Sequence, residues 1–402
     1  MSNAFSLLLA HPQASLLLGP TAVMRAMLSM ERELVLAQAD LGLVSREHAQ
    51  TVASCCAWDH QDELQVDAWV AQAASAGSLA IPLVNALKAR VRERDPQALA
   101  AVHLGATSQD LIDTALSVQG RQVLTLIDEA VQRVLRALIR LKQAHGQAPL
   151  LARTLMQPAA PTVLEARLLN WALPLQRSRQ ALSRLGQAAL TLQLAGPVGD
   201  AAVWGQQAVA LRQAVARRMN LPLHPWVWQV QRDDRARLAA ELGVLVGALA
   251  KVGLDVALMS QAEVAELHES AAEGRGGSSA MPHKRNPVGA LVALSAVQRA
   301  PHRVAAVIGA MAASQERGLG SWQAEGAELA DLMIITAGSA AAMADALEHA
   351  TADPQRMGVH LQTLHSGTGT SAPSLGSDAL GLAGERARLW TELERSLMED
   401  SA

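Results

Sequence analysis

The feature that most restricts the fold of this chain is a regular row of apolar residues between positions 234 and 268. The row advances in alternating steps of four and three residues, through Leu238, Leu242, Leu245, Leu249, Val252, Val256 and Met259. This spacing places every member on one side of a long helix, where it can pack against neighbouring helices. We therefore predict a helix over 234–268 at the centre of a helical bundle.

Composition favours the same fold along the rest of the chain. Half of the 402 residues are hydrophobic, but only 2% are aromatic and there is no tyrosine. Abundant Ala and Leu favour helix over strand. We predict an all-α fold in which the helix over 234–268 packs with four more long helices, at 107–145, 161–194, 287–314 and 322–350.

The helical patterns divide the chain into three regions. Residues 1–100 are expected to form an N-terminal helical domain, which begins with an amphipathic helix over 21–42. Residues 101–350 form the central long-helix bundle, and residues 351–402 a short C-terminal helical region. The expected architecture is a long bundle flanked by two smaller helical domains.

Charge and cysteine content limit the classes of partner. A net charge of -3 gives no general attraction to nucleic acid or to anionic membranes. The two cysteines, Cys55 and Cys56, are adjacent and poorly suited to a structural disulfide, which fits a reducing compartment. No apolar run approaches the length of a membrane-spanning helix, and no signal peptide is indicated. We predict a cytoplasmic protein that binds neither nucleic acid nor membrane.

A glycine-rich stretch at 274–287, with the sequence GRGGSSAMPHKRNP, interrupts the long helical patterns. Its glycines at 274, 276 and 277 can adopt positive φ and turn backbone N–H groups toward an anion, while Lys284 and Arg285 add positive charge. Asn286 and Pro287 are expected to cap and start the helix that follows. A Gly/Ser linker is the simpler interpretation, but the density of cations and amides favours an active-site loop.

A second motif, HLGATSQD, occupies residues 103–110 at the start of the helix over 107–145. Thr107 and Ser108 lie where helix caps are found, so capping alone explains them. Hydroxyl groups and free N–H groups at a helix start also bind anions. The residues by themselves leave both interpretations open.

The segment from 277 to 287 resembles the signature GSSxMPxKxNP of the fumarase/aspartase superfamily, and the match is complete. The resemblance implies that Ser278 is the catalytic base and that Lys284 and Asn286 bind substrate carboxylates. It also implies that the 103–110 motif binds a carboxylate. Further substrate-binding residues expected on this basis are His103, Thr107, Ser108, Gln109, Arg153, Thr154, Gln157, Ser279, Met281 and Arg317.

A third motif, ARTLMQPAAP at 152–161, departs from much of the superfamily. Fumarases, argininosuccinate lyases and adenylosuccinate lyases have a Thr-His pair in this loop, and the histidine transfers a proton. Here Thr154 is followed by Leu155. Because leucine cannot carry a proton, a reaction that needs an acid at this position is disfavoured.

The stretch QERGLGSWQAE at 315–325 resembles the corresponding segment of bacterial 3-carboxy-cis,cis-muconate cycloisomerases, as does the run at 77–84. This resemblance implies an intramolecular addition of a carboxylate to a double bond in aromatic catabolism. Leu155 is compatible with it, because in the reverse reaction a carboxylate leaves without being protonated. An adenylosuccinate lyase-like or aspartase-like lyase that releases fumarate is the alternative. A non-catalytic helical scaffold is disfavoured because the signature residues are present.

The resemblance also carries expectations about partners. Superfamily bundles form homotetramers whose active sites combine one motif from each of three chains, and here the three motifs belong to different helices. We therefore expect a homotetramer that binds a small tricarboxylate. No metal-ligand spacing is found among the twelve histidines, and neither a metal nor an organic cofactor is expected.

Overall fold

The computed structural model describes residues 4–270, 275–278, 280, 281, 284–368 and 382–399, and for 363–368 the backbone only. The fold is all-α, as predicted from composition. The N-terminal part consists of short helices joined by tight turns and ends in a 3-10 helix at Pro96–Ala101. These helices are α1 (Pro12–Leu17), α2 (Pro20–Asp40), α3 (Arg46–Cys55), α4 (His60–Ala76) and α5 (Ala80–Arg94).

Long helices build the central bundle, as the apolar patterns predicted. The central helix α9 packs against α7, α10 and α11, and α6 packs against α7 and α11. Every member of the apolar row between 238 and 259 is buried. The bounds are α6 (Ser108–His145), α7 (Leu164–Ala189), α8 (Ala208–Arg218), α9 (Asp233–Met259), α10 (Val288–Gly309), α11 (Ser321–Leu347), α12 (Pro354–Thr368) and α13 (Ala383–Glu399).

The prediction that the central helix extends to residue 268 is wrong, because α9 ends at Met259. The next two positions of the apolar row are Glu263 and Glu266, so a longer helix would gain no apolar packing. The chain instead turns back, and the Glu266 N–H donates to the Met259 carbonyl over 2.9 Å. It then forms a short strand β3 (Leu267–His268) that pairs with β4 (Thr351–Ala352).

The third motif forms a β-hairpin rather than the expected loop. Strands β1 (Pro149–Thr154) and β2 (Gln157–Val163) pair antiparallel and are joined by a two-residue turn. Both turn residues, Leu155 and Met156, have positive φ, at 50° and 64°. Such turns match the twist of the paired strands. The hairpin therefore holds Thr154 and Gln157 opposite each other at its tip.

Two apolar clusters form the interior. One lies inside the long-helix bundle. The other lies between the N-terminal helices and also contains residues from the stretch 192–221, among them Trp204 and Leu211. The connection between α7 and α9 thus completes the N-terminal core, and the domain boundaries at 100 and 350 stay predictions.

The expectation that no segment is long enough to cross a membrane is corrected by the helix lengths. Among the described residues, α9 and α11 are long and apolar enough to do so. Both contribute much of their surface to the bundle core. A core helix of a bundle has the same length and composition as a membrane-spanning helix, so this similarity follows from their position.

Candidate active site

A backbone hydrogen bond joins the two ends of the signature loop. The Asn286 N–H donates to the Gly276 carbonyl over 2.7 Å. Gly276 has a φ of 66°, and a Cβ at this position would lie 2.5 Å from the Asn286 carbonyl oxygen. Only glycine fits here. Gly277, for which positive φ was also expected, does not adopt it, and Gly274 lies outside the described residues.

The start of α10 is capped by Glu269 and not by Asn286, contrary to the sequence prediction. Pro287 holds the N-cap position and has no N–H to donate and no polar side chain. The Glu269 carboxylate accepts from the N–H groups of Gly289 and Ala290, over 3.0 and 2.9 Å. A carboxylate at a helix start satisfies free N–H groups and interacts favourably with the helix dipole.

Ser278 lies inside the loop with its hydroxyl oxygen facing backbone N–H groups. The Oγ accepts from Met281 N over 3.1 Å and from Ala280 N over 3.4 Å. Hydrogen bonds donated to an oxygen favour its anionic form. Lys284 is exposed, and its backbone N–H donates to the Met281 carbonyl. Ser279 lies outside the described residues.

The second motif brings Thr107 together with Arg317, from a segment far away in sequence. Thr107 is the N-cap residue of α6, and its Oγ1 accepts from Arg317 Nη1 over 2.6 Å. The Arg317 guanidinium also lies 5.6 Å from the centre of the Trp322 ring. A hydroxyl, a guanidinium and a helix start at one point form a site suited to a carboxylate. Ser108 is the first residue of the helix and is half-buried.

The buried carboxylates of Asp110 and Glu31 hold the 103–110 motif in place through hydrogen bonds. Asp110 accepts backbone N–H groups from Thr107, Ala195 and Gly196, each over 3.0 Å. Burial raises the pKa of Asp110 to about 7, although these hydrogen bonds act against the increase. His103, with a φ of 58°, directs Nδ1 to the buried carboxylate of Glu31. The loop before α6 is thus fixed by contacts to the protein interior.

Gln109 points into the protein interior. Its side chain is fully buried and donates to the Asp113 carboxylate and to the Gln229 carbonyl, over 3.1 and 2.8 Å. The structure therefore does not bring the Gln109 amide to the exposed side of the Thr107–Arg317 pair. Its role in substrate binding stays a prediction.

The predicted residues of the hairpin have different surroundings from one another. Arg153 forms a two-pronged ion pair with the buried Glu266, over 2.9 and 3.0 Å. Burial alone would raise the pKa of Glu266, but Arg153 and His360 hold it below its ordinary value. Thr154 and Gln157 are exposed at the hairpin tip, and Leu155 is 96% exposed.

A buried ion cluster that the sequence motifs did not indicate lies one turn beyond Asp110. Asp113 of α6 and Glu325 of α11 pair with Arg232 and Arg235 at the start of α9, over 2.5–3.3 Å. All four side chains are at most 2% exposed. Burial would raise the pKa of Asp113, yet the two arginines lower it. No spacing in the sequence indicates this cluster, because its members come from three distant segments.

Removal of one charge from this cluster should destabilise the protein strongly. Glu325→Gln leaves two buried arginines to share the single carboxylate of Asp113, and we expect the free energy of unfolding to fall by about 3–5 kcal/mol. The measurement is urea unfolding followed by circular dichroism. The control is Asp331→Asn on the same helix, because Asp331 is 49% exposed and pairs with Arg303 at the surface, so its loss should change stability by about 1 kcal/mol or less. Equal effects of the two substitutions would contradict this account.

The Thr107–Arg317 pair and the signature loop lie at different ends of the bundle. Arg317 stacks on Trp322 at the start of α11, whereas Arg275, at the base of the signature loop, donates to the Ala342 carbonyl near the end of α11. At 1.5 Å per residue, these points on α11 are about 30 Å apart. Glu266, the partner of Arg153, is close in sequence to the base of the signature loop. One chain therefore separates Thr107 from the loop that carries Ser278.

Among the described residues, no group of three His, Cys, Asp or Glu side chains is placed to hold a metal ion.

The fold and the motifs define a lyase of the fumarase/aspartase superfamily. The chain belongs to this family, since the family profile described as Lyase matches residues 20–300. The superfamily predicted from the signature loop is confirmed.

Cycloisomerases are among the proteins similar to this chain, as the stretch at 315–325 predicted. The 3-carboxy-cis,cis-muconate cycloisomerase of Bradyrhizobium diazoefficiens is 37% identical over 369 residues, which are 91% of this chain and 81% of the relative. That of Pseudomonas aeruginosa is 39% identical over 342 residues, 85% of this chain and 74% of the relative. The crystal structure of the 3-carboxy-cis,cis-muconate lactonizing enzyme from Pseudomonas putida matches with a TM-score of 0.84 at 32% identity, over 99% of this chain and 88% of that one.

Proposed function

We propose that this protein converts 3-carboxy-cis,cis-muconate to 4-carboxymuconolactone in the breakdown of aromatic compounds. One substrate carboxylate oxygen forms a bond to a carbon of the conjugated system, and the carbon next to another carboxylate takes up a proton. No atom is lost, so the reaction is an isomerisation. The similarity to cycloisomerases at up to 39% identity supports this choice.

The observation that carries the proposal within the superfamily is Leu155 at the tip of the hairpin. Where related lyases use a histidine to transfer a proton, this chain presents an apolar side chain that is 96% exposed. In the eliminating direction of a cycloisomerase the leaving group is a carboxylate, which needs no proton. The amine that leaves in an adenylosuccinate lyase needs one, so loss of the histidine disfavours that reaction. Aspartases also lack this histidine, and an aspartase-like ammonia-lyase stays the alternative.

Ser278 is proposed to transfer the proton to and from carbon. Its Oγ accepts two backbone N–H groups, which lower the energy of the alkoxide needed for proton removal. Lys284 and Asn286 are proposed to bind the carboxylate next to the reacting carbon, where negative charge builds up in the transition state. The Thr107–Arg317 pair is proposed to bind a second carboxylate.

A panel of superfamily substrates tests the function. Purified protein is incubated separately with carboxymuconate, adenylosuccinate, argininosuccinate and aspartate, and ultraviolet absorbance is followed. We expect carboxymuconate to lose its conjugated absorbance, with a kcat/KM about a hundredfold or more above that of any other substrate, because sites that bind each polar group of a substrate reject compounds lacking one. Turnover of adenylosuccinate with carboxymuconate untouched would overturn the proposal.

The protein is further proposed to act as a homotetramer in which different chains complete one site. The distance between Thr107 and the signature loop supports this, since no single chain brings them together. The outer side of α9 supports it too, because it carries a second row in steps of three and four residues, formed by Val244, Gly247, Lys251 and Leu254. Its apolar members Val244 and Leu254 are 56% and 45% exposed, and Gly247 has open space beside it. Such a row favours packing against helices of another copy.

We also propose that the enzyme works in the cytoplasm. Cys55 and Cys56 are both buried free thiols, which is the usual state of cysteines in a reducing compartment. Fractionation of cells that express the protein, followed by immunodetection, tests this location.

A further inference from the structure

We infer that Gln229 is a positioning residue that holds Arg317 in register with Thr107, an inference that rests on the proposed role of this pair in substrate binding. Gln229 is 3% exposed and lies in the connection that leads into α9. It was not among the residues expected from the sequence motifs.

Gln229 is hydrogen-bonded to both chain segments that carry the Thr107–Arg317 pair. Its side-chain Nε2 donates to the Glu316 carbonyl over 2.8 Å, at the peptide that leads directly into Arg317. Its backbone carbonyl accepts from Gln109 Nε2 over 2.8 Å, two residues after Thr107. One residue therefore sets the backbone before Arg317 relative to the start of α6.

The surroundings of Gln229 make this link rigid. The preceding Trp228 is held by its N–H to the Gln193 side chain and by its ring N–H to the Leu192 carbonyl, over 3.2 and 3.0 Å. Arg232, three residues after Gln229, belongs to the buried ion cluster. These contacts fix the position of the Gln229 side-chain amide next to the Glu316 carbonyl. A segment that contains Arg317 but lacks this bond would place the guanidinium less accurately.

The contribution of Gln229 should appear in substrate binding and should depend on Arg317. Gln229→Met keeps the volume of the side chain and removes the N–H donor. We expect KM to rise about tenfold, the effect of one hydrogen bond in a well-ordered site, with kcat nearly unchanged because Ser278 is unaffected. In an Arg317→Ala background the same substitution should change KM by less than about twofold, because there is no guanidinium left to position.

The double-mutant cycle is measured on the substrate that the wild-type protein turns over, so failure of the proposed reaction is recognised before the cycle begins. Where turnover is lost, calorimetric substrate affinity replaces KM. The matched control is Gln231→Met, two residues away, since Gln231 is exposed and should leave KM unchanged. If Gln229→Met does not fold, Gln229→Leu enters the same cycle, because it also removes the donor and places no charge at this buried position.

Full additivity of the two substitutions would overturn the inference, because a residue that acts only on stability does not depend on Arg317. A change confined to kcat, or an unchanged KM for Gln229→Met, would do the same. If Arg317→Ala itself leaves KM unaltered, Arg317 does not bind substrate and the assigned role of Gln229 also fails.

Discussion

Replacement of Ser278 by alanine is expected to lower kcat about a thousandfold while changing KM little. Loss of a general acid–base group usually has an effect of this order. In the proposed roles the Ser278 hydroxyl acts when the proton moves to or from carbon and other groups bind the substrate carboxylates, so the loss should fall on the transition state. Single-turnover kinetics with carboxymuconate measures this step directly.

The matched control is the neighbouring hydroxyl, Ser279→Ala, for which we expect a milder loss. Circular dichroism and the oligomeric state of both variants should equal those of the wild type, since each substitution removes only one oxygen atom. A near-normal single-turnover rate for Ser278→Ala together with an inactive Ser279→Ala would assign the proton transfer to Ser279 and not to Ser278.

Two inactive variants should restore each other's activity when mixed. Ser278→Ala and Thr107→Val each remove one of two groups that lie near opposite ends of α11, at contact points about 30 Å apart along that helix. If each site takes Ser278 from one chain and Thr107 from another, random reassembly of equal amounts leaves about a quarter of the sites with both groups. Activity should therefore rise from background to about a quarter of the wild-type value.

The measurement is the steady-state rate after the two proteins are unfolded together and refolded. Each variant refolded alone provides the background, and the double variant Ser278→Ala/Thr107→Val mixed with wild type gives the dilution control. No recovery in a mixture whose oligomers are correctly assembled would show that both groups come from one chain, contrary to the proposed sharing of sites between chains.

The long helices could be predicted from the sequence because their signal is local and repetitive. The row from Leu238 to Met259 marks one buried side of α9, and all its members are buried. The same pattern located α6, α7, α10 and α11. The predicted end of α9 at residue 268 is wrong because the polar positions 263 and 266 offer no apolar surface to bury, and the helix ends at Met259.

Local chemistry in the sequence also identified the loop that carries Ser278 and the helix start at Thr107. The need for glycine at position 276 is a backbone property, and the structure gives it a φ of 66°. The roles of the polar residues remain predictions. Gln109 illustrates why, since its position next to Ser108 says nothing about whether its side chain faces substrate or interior.

The sequence by itself determined the fold class, the long helices, the superfamily and the departure at Leu155, because each depends on neighbouring residues or on a short pattern. Only the tertiary structure decided which distant groups meet. It joined Arg317 to Thr107, placed Glu269 at the start of α10 and buried Asp113 and Glu325 with two arginines. These pairings depend on how the helices pack. A hydrogen bond or ion pair between residues some 20 to 210 positions apart leaves no periodic trace in the chain.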